Sequence, residues 1–209
     1  MDKRLILFSV GNPGPSNRHS TGHLMLKELV SYFDVKQLQK KSPLYSITSN
    51  DDHSLILVKS NSYMNDSGKA FKKFIESERI NLASTENLIL ILYDDFENKI
   101  GNVKLSTFKN HESHNGIKSI QTSLTQANNN NNGVVFNLGI GIGPKPNNAS
   151  RDTMASWVLS DFKLEEKQII ETVGLDVLTT YLGEIIEVNG DIKDCNKFNA
   201  HMAKMLKGN

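Results

Sequence analysis

The chain has 209 residues, with 24 Lys+Arg against 23 Asp+Glu and a net charge of +1. This length fits one domain with a sizeable core, and the charge balance excludes a uniformly basic nucleic-acid coat while allowing a local basic patch. The single cysteine, Cys195, excludes a disulfide framework and a four-cysteine zinc site. The longest apolar run, 88–93, is too short to span a membrane, and residues 1–10 do not resemble a secretory or transit peptide. We expect a reducing compartment and no membrane partner.

Hydrophobic patterning predicts alternating strands and helices in chain order. A buried-type strand at 5–10 is followed by a helix at 21–33, strands at 45–48 and 54–59, and a helix at 66–78 with Asp66 or Ser67 as its N-cap. A continuous apolar strand at 88–93, typical of the centre of a parallel sheet, leads to a strand at 103–108, a helix at 117–124 and a strand at 134–142. One or two helices at 157–188, broken near Gly174 and Gly183, precede a C-terminal helix within 191–209 that docks on the core.

This alternation predicts the α/β class, as a single three-layer α/β/α domain with a mixed, mostly parallel central sheet. We divide the chain into an α/β domain at 1–188 and a C-terminal helical extension at 189–209. Residues 128–132 are all asparagine, a low-complexity tract that predicts a surface loop. Because asparagine supplies 23 of the 209 residues, a single asparagine is weak evidence for a site and must be judged by its neighbours.

The turn Gly11-Asn12-Pro13-Gly14 follows the first strand, at the sheet edge where open α/β folds bind ligands. It lacks the Gly-Lys-Ser/Thr ending of a P-loop and the glycine spacing of a dinucleotide fingerprint. Gly139, Gly141 and Gly143 lie within a strand and predict that another element packs closely there. A nucleotide cofactor is therefore not expected.

Polar side chains occur at the ends of several predicted strands and at the starts of the helices that follow them. They lie in Arg18-His19, Tyr63-Met64-Asn65, Tyr93-Asp94-Asp95 and His114-Asn115-Gly116. Gathered on one rim of the sheet, a His can act as general base, an Asp can fix its tautomer, and Asn amides can hold a carbonyl. These groups predict hydrolysis of an ester by an activated water.

Together with the turn at 11–14, Ser67-Gly68, Gly101 and the glycines at 139–143, these segments resemble the bacterial-type peptidyl-tRNA hydrolase family in order and spacing over residues 5–188. The resemblance implies an α/β/α enzyme that cleaves the ester between a peptide and the 3′ ribose of tRNA, which makes tRNA the partner. It also implies a mechanism without metal or cofactor, and it favours a monomer. The expected location is cytoplasmic or mitochondrial.

Carried over residue by residue, the resemblance makes His19 the general base and Asp94 its orienting acid. Asn12 matches the position that helps distinguish a blocked peptidyl group from a free amino acid. The other substrate-binding roles fall on Asn65 and Asn115, which hold substrate and water, on Tyr63 as an aromatic contact, on Met64 in the cleft and on His114 at the rim.

The chain departs from the family pattern where tRNA is gripped. The segment between Asn12 and His19 is short and lacks an aromatic contact, and the basic positions expected to hold the 5′ phosphate fall on Ser106 and Gly139. Phosphate contact would then come from neighbouring cations, for which the candidates are Lys104, Lys109, Lys145 and Arg151. Losing a charged phosphate contact lowers affinity and its salt dependence but leaves the chemistry intact.

Two other interpretations of these segments have some support in the sequence. A non-catalytic RNA-binding homologue of the same fold, of the splicing-factor type, fits the altered loops, but a pure binder has no need of His19 and Asp94. The spacing of His111 and His114 would suit zinc if helical, but no third ligand is evident and the H-E-x-x-H order is not met. We therefore predict a polar loop there and no metal.

Overall fold

A computed structural model describes residues 3–14, 17–108, 114–126 and 135–208. The asparagine tract at 128–132, Lys109 and His111 lie outside these ranges. Within them, seven strands form one sheet in the order β2-β3-β4-β1-β5-β7-β6. The strands are β1 (Arg4–Ser9), β2 (Gln39–Lys40), β3 (Tyr45–Ser49), β4 (Leu55–Ser60), β5 (Asn87–Lys99), β6 (Val103–Thr107) and β7 (Val135–Gly143).

The centre of the sheet is parallel and its two edges are antiparallel. Strands β4, β1, β5 and β7 run parallel to one another. The pairs β2–β3, β3–β4 and β6–β7 are antiparallel. The prediction of an α/β domain with a mixed sheet and a parallel centre is therefore confirmed, although the short edge strand β2 was not predicted.

Helices cover both faces of the sheet. They are α1 (Thr21–Tyr32), α2 (Ser67–Ser77), α3 (Asn115–Gln126), α4 (Arg151–Leu159), α5 (Leu164–Ile169), α6 (Leu175–Glu187) and α7 (Cys195–Gly208). Short 3₁₀ turns at Arg18–Ser20 and Met64–Asp66 precede α1 and α2, and a π-helical turn at Ile170–Gly174 joins α5 to α6. No helix within the described ranges combines the length and apolar character needed to cross a membrane.

Alternate residues of the central strands supply the two halves of the core. Leu5 and Leu7 of β1 pack in the cluster that includes α1, α6 and α7, whereas Ile6 and Phe8 pack in the cluster that includes α2 and α3. Because both faces of these strands are buried, their residues form continuous apolar runs in the sequence.

The predicted C-terminal helix docks on the edge strand β6. It buries Cys195, Phe198 and Met202, and the side-chain amide of Asn199 bonds both the N–H (2.9 Å) and the carbonyl (2.7 Å) of Leu105. The amide thus satisfies backbone groups that an edge strand otherwise leaves unpaired. The division of the chain between residues 188 and 189 stays a prediction.

The strand predicted at 88–93 is longer than its apolar run. Strand β5 continues to Lys99, with a register shift against β7 between Asp95 and Lys99. The prediction of close packing at the β7 glycines is confirmed, because a Cβ on Gly143 would lie 2.6 Å from the carbonyl oxygen of Asn98. Glycine thus lets the bent end of β5 lie against β7.

The predicted helices at 157–188 were wrong in three places. Helix α4 begins at Arg151 rather than Trp157, and the chain breaks between α4 and α5 rather than at a glycine. Gly174 ends the π-helical turn without stopping the helix, and Gly183 lies inside α6. A single helical glycine costs only about 1 kcal/mol relative to alanine, which the buried face of α6 offsets.

The N-cap position of α2 is Asp66, one of the two predicted residues. Its side chain makes no capping hydrogen bond and instead pairs with Lys69 at 2.7 Å.

Candidate active site

The carboxyl ends of the four parallel strands border a cleft of about 940 Å³. The turn at 11–14 leaves β1, the turn Met64–Asp66 follows β4, Asp94 lies in β5, and α4 follows β7. Of the predicted site residues, nine line this cleft: Asn12, His19, Tyr63, Met64, Asn65, His114, Asn115, Lys145 and Arg151. Asp94 lies beneath them, fully buried.

One carboxylate holds two imidazoles at the floor of the cleft. Asp94 Oδ2 lies 2.7 Å from His19 Nδ1, and Asp94 Oδ1 lies 3.1 Å from His114 Nε2. His114 is 3 % exposed and packs edge-on against both His19 and Tyr93. Since the His19 Nδ1 faces Asp94, its Nε2 is the nitrogen left to meet a water in the cleft.

The hydrogen bonds define one consistent set of tautomers. His19 donates from Nδ1 and His114 donates from Nε2 to the same carboxylate. The other nitrogen of His114, Nδ1, accepts the backbone N–H of Ile117 at 3.4 Å. His114 is therefore turned towards Asp94 by the start of α3, and it completes the support of the His19–Asp94 pair.

The pKa values of this group follow from burial and charge. Burial lowers the pKa of His19, but the charge of Asp94 and the hydrogen bond to it outweigh burial, so that the net pKa lies above 6.5. Burial alone would raise the pKa of Asp94, but the charges of His114 and His19 and their hydrogen bonds lower it to about 2. The Asp94 carboxylate is thus ionised at neutral pH, where it can orient an imidazole.

The turn that carries Asn12 is fixed by the residues around it. Its N–H donates to the carbonyl of His19 (3.1 Å), and its own carbonyl accepts the hydroxyl of Ser20 (3.0 Å). The side-chain oxygen of Asn12 accepts the N–H of Met64 at 3.0 Å. The amide nitrogen is therefore the side-chain group of Asn12 that remains to donate to a ligand.

Two glycines bring the segments of the site together. A Cβ on Gly22 would lie 2.5 Å from the carbonyl oxygens of both Val10 and Leu92, so glycine lets α1 lie against the ends of β1 and β5. A Cβ on Gly68 would overlap the backbone of Ser119, so glycine lets α2 lie against α3. The first contact places His19 over Asp94, and the second places Asn65 beside the start of α3.

Two of the four predicted phosphate-binding residues line the cleft. Lys145 and Arg151 line the cleft, and Lys145 forms an ion pair with Glu97 and lies 5.4 Å from the centre of the Phe96 ring. Lys104 is exposed on β6 and is not among the described residues that line the cleft. Lys109 lies outside the described residues.

Ser106 and Gly139 both lie close to the side chain of Tyr93. Tyr93 shares a hydrogen bond with Ser106, and a Cβ on Gly139 would come 2.8 Å from the Tyr93 hydroxyl. Burial raises the pKa of this phenol, with the charge of Asp95 adding to the effect. The tyrosine therefore occupies the space that a longer side chain at position 139 would need.

The main part of the cleft lining that sequence reasoning missed is α4 with the segment that leads into it. The missed lining residues are Phe96 in β5, Pro146, Asn148 and Ala149 before α4, and Met154, Ala155, Val158 and Leu159 in α4. A signal was present, because Ser150 caps α4 by accepting the N–H of Thr153 at 3.1 Å. Serine is a preferred N-cap, and recognising it would have started this helix six residues earlier.

A third histidine, His23, lies buried beneath the site. Its Nδ1 is 2.8 Å from the hydroxyl of fully buried Ser9. Burial, with the charge of Lys59 adding to it, lowers the pKa of His23 to about 3 against the opposing effects of a hydrogen bond to Gly11 and the charge of Asp94. This neutral imidazole packs against Gly11, next to Asn12.

The side chains of His19, Asp94 and His114 are also close enough to be considered as metal ligands, since their ligating atoms lie within 4.8 Å of one another. Both oxygens of Asp94 already accept hydrogen bonds from the imidazoles. That arrangement matches a base with its orienting acid.

Comparisons with known proteins place the chain in a family. The peptidyl-tRNA hydrolase family model matches residues 6–206. The chain is 30 % identical over 201 residues to a peptidyl-tRNA hydrolase of Fervidobacterium nodosum, covering 94 % of this chain and 96 % of that one. It is 33 % identical over 172 residues to a probable peptidyl-tRNA hydrolase of Schizosaccharomyces pombe, covering 80 % and 76 %. The crystal structure of peptidyl-tRNA hydrolase from Acinetobacter baumannii shares the fold with a TM-score of 0.71 at 21 % identity, covering 90 % of each chain. The chain therefore belongs to the peptidyl-tRNA hydrolase family.

Proposed function

We propose that this protein hydrolyses the ester bond of peptidyl-tRNA without a metal ion, releasing the peptide and free tRNA. The observation that carries the proposal is the Asp94 carboxylate held between His19 and His114 at the floor of an open cleft. Family membership supports the hydrolase activity, and the hydrogen bonds to Asp94 support the choice of base.

In the proposed reaction, His19 Nε2 takes a proton from a water molecule as the water oxygen attacks the ester carbonyl carbon. Asp94 keeps the proton on Nδ1, so that Nε2 is free to accept, and its charge stabilises the imidazolium that forms. The amides of Asn65 and Asn115 hold the carbonyl oxygen and the water. When the carbon–oxygen ester bond breaks, the imidazolium returns its proton to the 3′ oxygen of the ribose. The peptide is released as a carboxylic acid, which loses its remaining proton to solvent at neutral pH.

Asn12 gives the site a physical basis for choosing blocked substrates. Its free amide nitrogen can donate to the carbonyl of the peptide bond that precedes the esterified residue. A free aminoacyl group presents an ammonium at that place, which cannot accept a hydrogen bond and leaves the amide unpaired. Tyr63, 67 % exposed at the cleft, offers an aromatic face, and Met64 is buried in its wall.

The tRNA body is held by cations at the cleft. Lys145 and Arg151 are the first candidates because they line it, whereas Lys104 is exposed on β6, outside the cleft lining. We also propose that the protein acts as a monomer in the cytosol or mitochondrion.

The deciding experiment is a turnover assay on an N-blocked aminoacyl-tRNA and on the same tRNA carrying a free amino acid, with and without a metal chelator. Cleavage of the blocked substrate alone, unaffected by the chelator, supports the proposal. Binding of the blocked substrate without cleavage would favour the non-catalytic RNA-binding alternative. Activity lost to the chelator and restored by metal would contradict the metal-free mechanism.

A further inference from the structure

Helix α4 forms one wall of the cleft but is lightly packed along its own length. Five of its residues line the cleft, yet only Val158 of its nine residues is buried. A helix with so few buried contacts depends for its position on what holds its ends. Its C-terminal end, at Trp157 and residues 160–162, meets Arg18, the residue directly before His19.

The guanidinium of Arg18 is gripped by three side chains of the α4–α5 segment. Its central carbon lies 5.1 Å from the centre of the Trp157 ring and 4.8 Å from that of Phe162. Its Nη2 lies 2.8 and 3.0 Å from the two carboxylate oxygens of Glu166. The Arg18 side chain is 6 % exposed, so its guanidinium is shielded from solvent, whereas the side chain of Glu166 is 30 % exposed.

Backbone contacts also join Arg18 and the residue before it to the end of α4. The N–H of Arg18 donates to the carbonyl of Ser160 at 3.1 Å. Asn17 and Asp161 pair in an isolated antiparallel bridge. The two residues before the proposed base are therefore joined to the end of α4 through both main chain and side chain.

The carboxylate of Glu166 accepts hydrogen bonds from both α5 and Arg18. Its carboxylate accepts the N–H of Lys163 at 2.8 Å, which caps the start of α5, and it also accepts from Arg18. Burial alone would raise the pKa of Glu166, but the hydrogen bond from Arg18 and the other hydrogen bonds and charges around it lower the pKa. The carboxylate thus fixes the connection between α4 and α5 against Arg18.

Stability alone does not account for this arrangement. Among the described residues, the buried Nε and Nη1 of Arg18 find no hydrogen-bond partner. Burying donors unpaired costs free energy, and an apolar side chain would fill the space beside the two rings without that cost. A cation that lies over two rings and pairs with Glu166 instead specifies one position for the segment.

From these contacts we propose that Arg18 is a positioning residue, which fixes the place of the α4 wall relative to His19 so that the cleft can bind its substrate. His19 itself is held separately, through Asp94 and through the N–H of Asn12. Loosening Arg18 therefore displaces the wall and leaves the base in place, which raises KM more than it lowers kcat. The kinetic part of this inference rests on the proposed ester hydrolysis.

Two variants and one matched control test the inference. Glu166→Gln keeps an acceptor for Lys163 but removes the charge that pairs with Arg18, and Arg18→Lys keeps the cation but loses its planar stacking. The control is Glu171→Gln, which removes the same charge from a pair with Lys167 (3.6 Å) in the next turns of the same segment. For each protein, amide hydrogen exchange of residues 151–160, the melting temperature, and KM and kcat on an N-blocked aminoacyl-tRNA are measured.

We expect faster exchange at 151–160 in both variants but not in the control. KM should rise at least about fivefold while kcat stays within about twofold of the parent, since displaced binding groups act on substrate placement. Parent-like exchange and KM would overturn the inference, even if the melting temperature fell. A loss of kcat at unchanged KM would overturn it too. Exchange needs no turnover, so an inactive parent would count against the proposed function while the exchange data still decide the role of Arg18.

Discussion

Asp94 illustrates how one buried residue can organise a reaction centre. Taking a carboxylate completely out of water is costly unless its oxygens are paired, and here each oxygen accepts an imidazole N–H. The same low-dielectric surroundings strengthen those two hydrogen bonds. The pairing keeps the carboxylate ionised, and the ionised carboxylate raises the pKa of His19.

Replacing Asp94 by Asn tests this coupling through the pH profile. In the proposed mechanism the active form of His19 is neutral, so kcat of the parent should fall as the pH drops through a His19 pKa that lies above 6.5. In Asp94→Asn the charge that raises this pKa is gone, and the acidic limb should move to lower pH. The maximal kcat should fall about 100-fold or more because Nε2 no longer reliably accepts the proton.

The matched control is Asp95→Asn, because the Asp95 carboxylate accepts hydrogen bonds from Glu97 and Asn98 rather than from an imidazole. The acidic limb of its kcat–pH profile should lie at the same pH as that of the parent. An acidic limb that stayed in place in Asp94→Asn would show that this carboxylate does not control the base.

His23 should make the fold sensitive to acid. Between pH 6.5 and about 3 the unfolded chain binds a proton at this residue and the native state does not, so stability falls as the pH drops through this window. The loss from this group amounts to as much as about 1.4 kcal/mol per pH unit. Urea unfolding at pH 7 and pH 5 should show a smaller loss for His23→Gln than for the parent.

His53→Gln is the control for this experiment, because His53 forms the same kind of bond to Ser49 (2.8 Å) on an exposed turn. It should lose as much stability as the parent does between the two pH values. Equal losses in all three proteins would exclude His23 as the acid-sensitive group.

Sequence patterning can point to the proposed chemical residues more readily than to their contacts. His19 and the asparagines lie at helix starts or in the turn after β1, and Asp94 follows the apolar run of β5, which are positions that a chain pattern can show. The bond from His114 to Asp94 spans 20 residues and depends on how α3 begins. The Arg18–Glu166 contact spans 148 residues, and no local pattern encodes such a pairing.

At the level of elements, the site depends on the close approach of α2 and α3. Gly68→Ala would push a methyl group into the Ser119 backbone and separate the two helices. We expect a loss of about 1–3 kcal/mol in the free energy of unfolding, with a rise in KM because Asn65 and Asn115 move apart. Denaturant unfolding and steady-state kinetics measure the two effects.

Gly183→Ala provides the control within another helix. No atom of the described residues lies within 4 Å of its added Cβ, so the higher helix propensity of alanine should stabilise the protein by about 0.4–1 kcal/mol without changing KM. Equal stability changes in the two variants would contradict the close packing at Gly68.

The elements that sequence patterning predicted well are those with one dominant physical signal. Strands β1 and β5 have apolar runs buried on both faces, and α2 has a clear apolar face. Helix α4 escaped prediction because only Val158 is buried along it, so that the sequence has no apolar stripe to recognise. The far end of β5 escaped because backbone pairing with the β7 glycines, rather than hydrophobic burial, extends it.

At the level of the whole molecule, a net charge of +1 means that tRNA must be attracted by local rather than global charge. Arg151 on α4 lines the cleft, so Arg151→Gln should raise KM at low salt and leave kcat unchanged. If one phosphate contact is lost, the slope of log KM against log salt should decrease by about 1. Lys197→Gln on α7, a residue outside the cleft lining, should keep the parent slope, and identical slopes in all three proteins would remove Arg151 from the tRNA contact.

The central claim is that His19 activates the hydrolytic water. Single-turnover cleavage of an N-blocked aminoacyl-tRNA by the parent and by His19→Ala, with binding of the same substrate measured in parallel, tests it most directly. We predict a rate constant at least about 100-fold lower in the variant, with binding retained. Cleavage by His19→Ala at the parent rate would contradict the assignment of the base and the mechanism built on it.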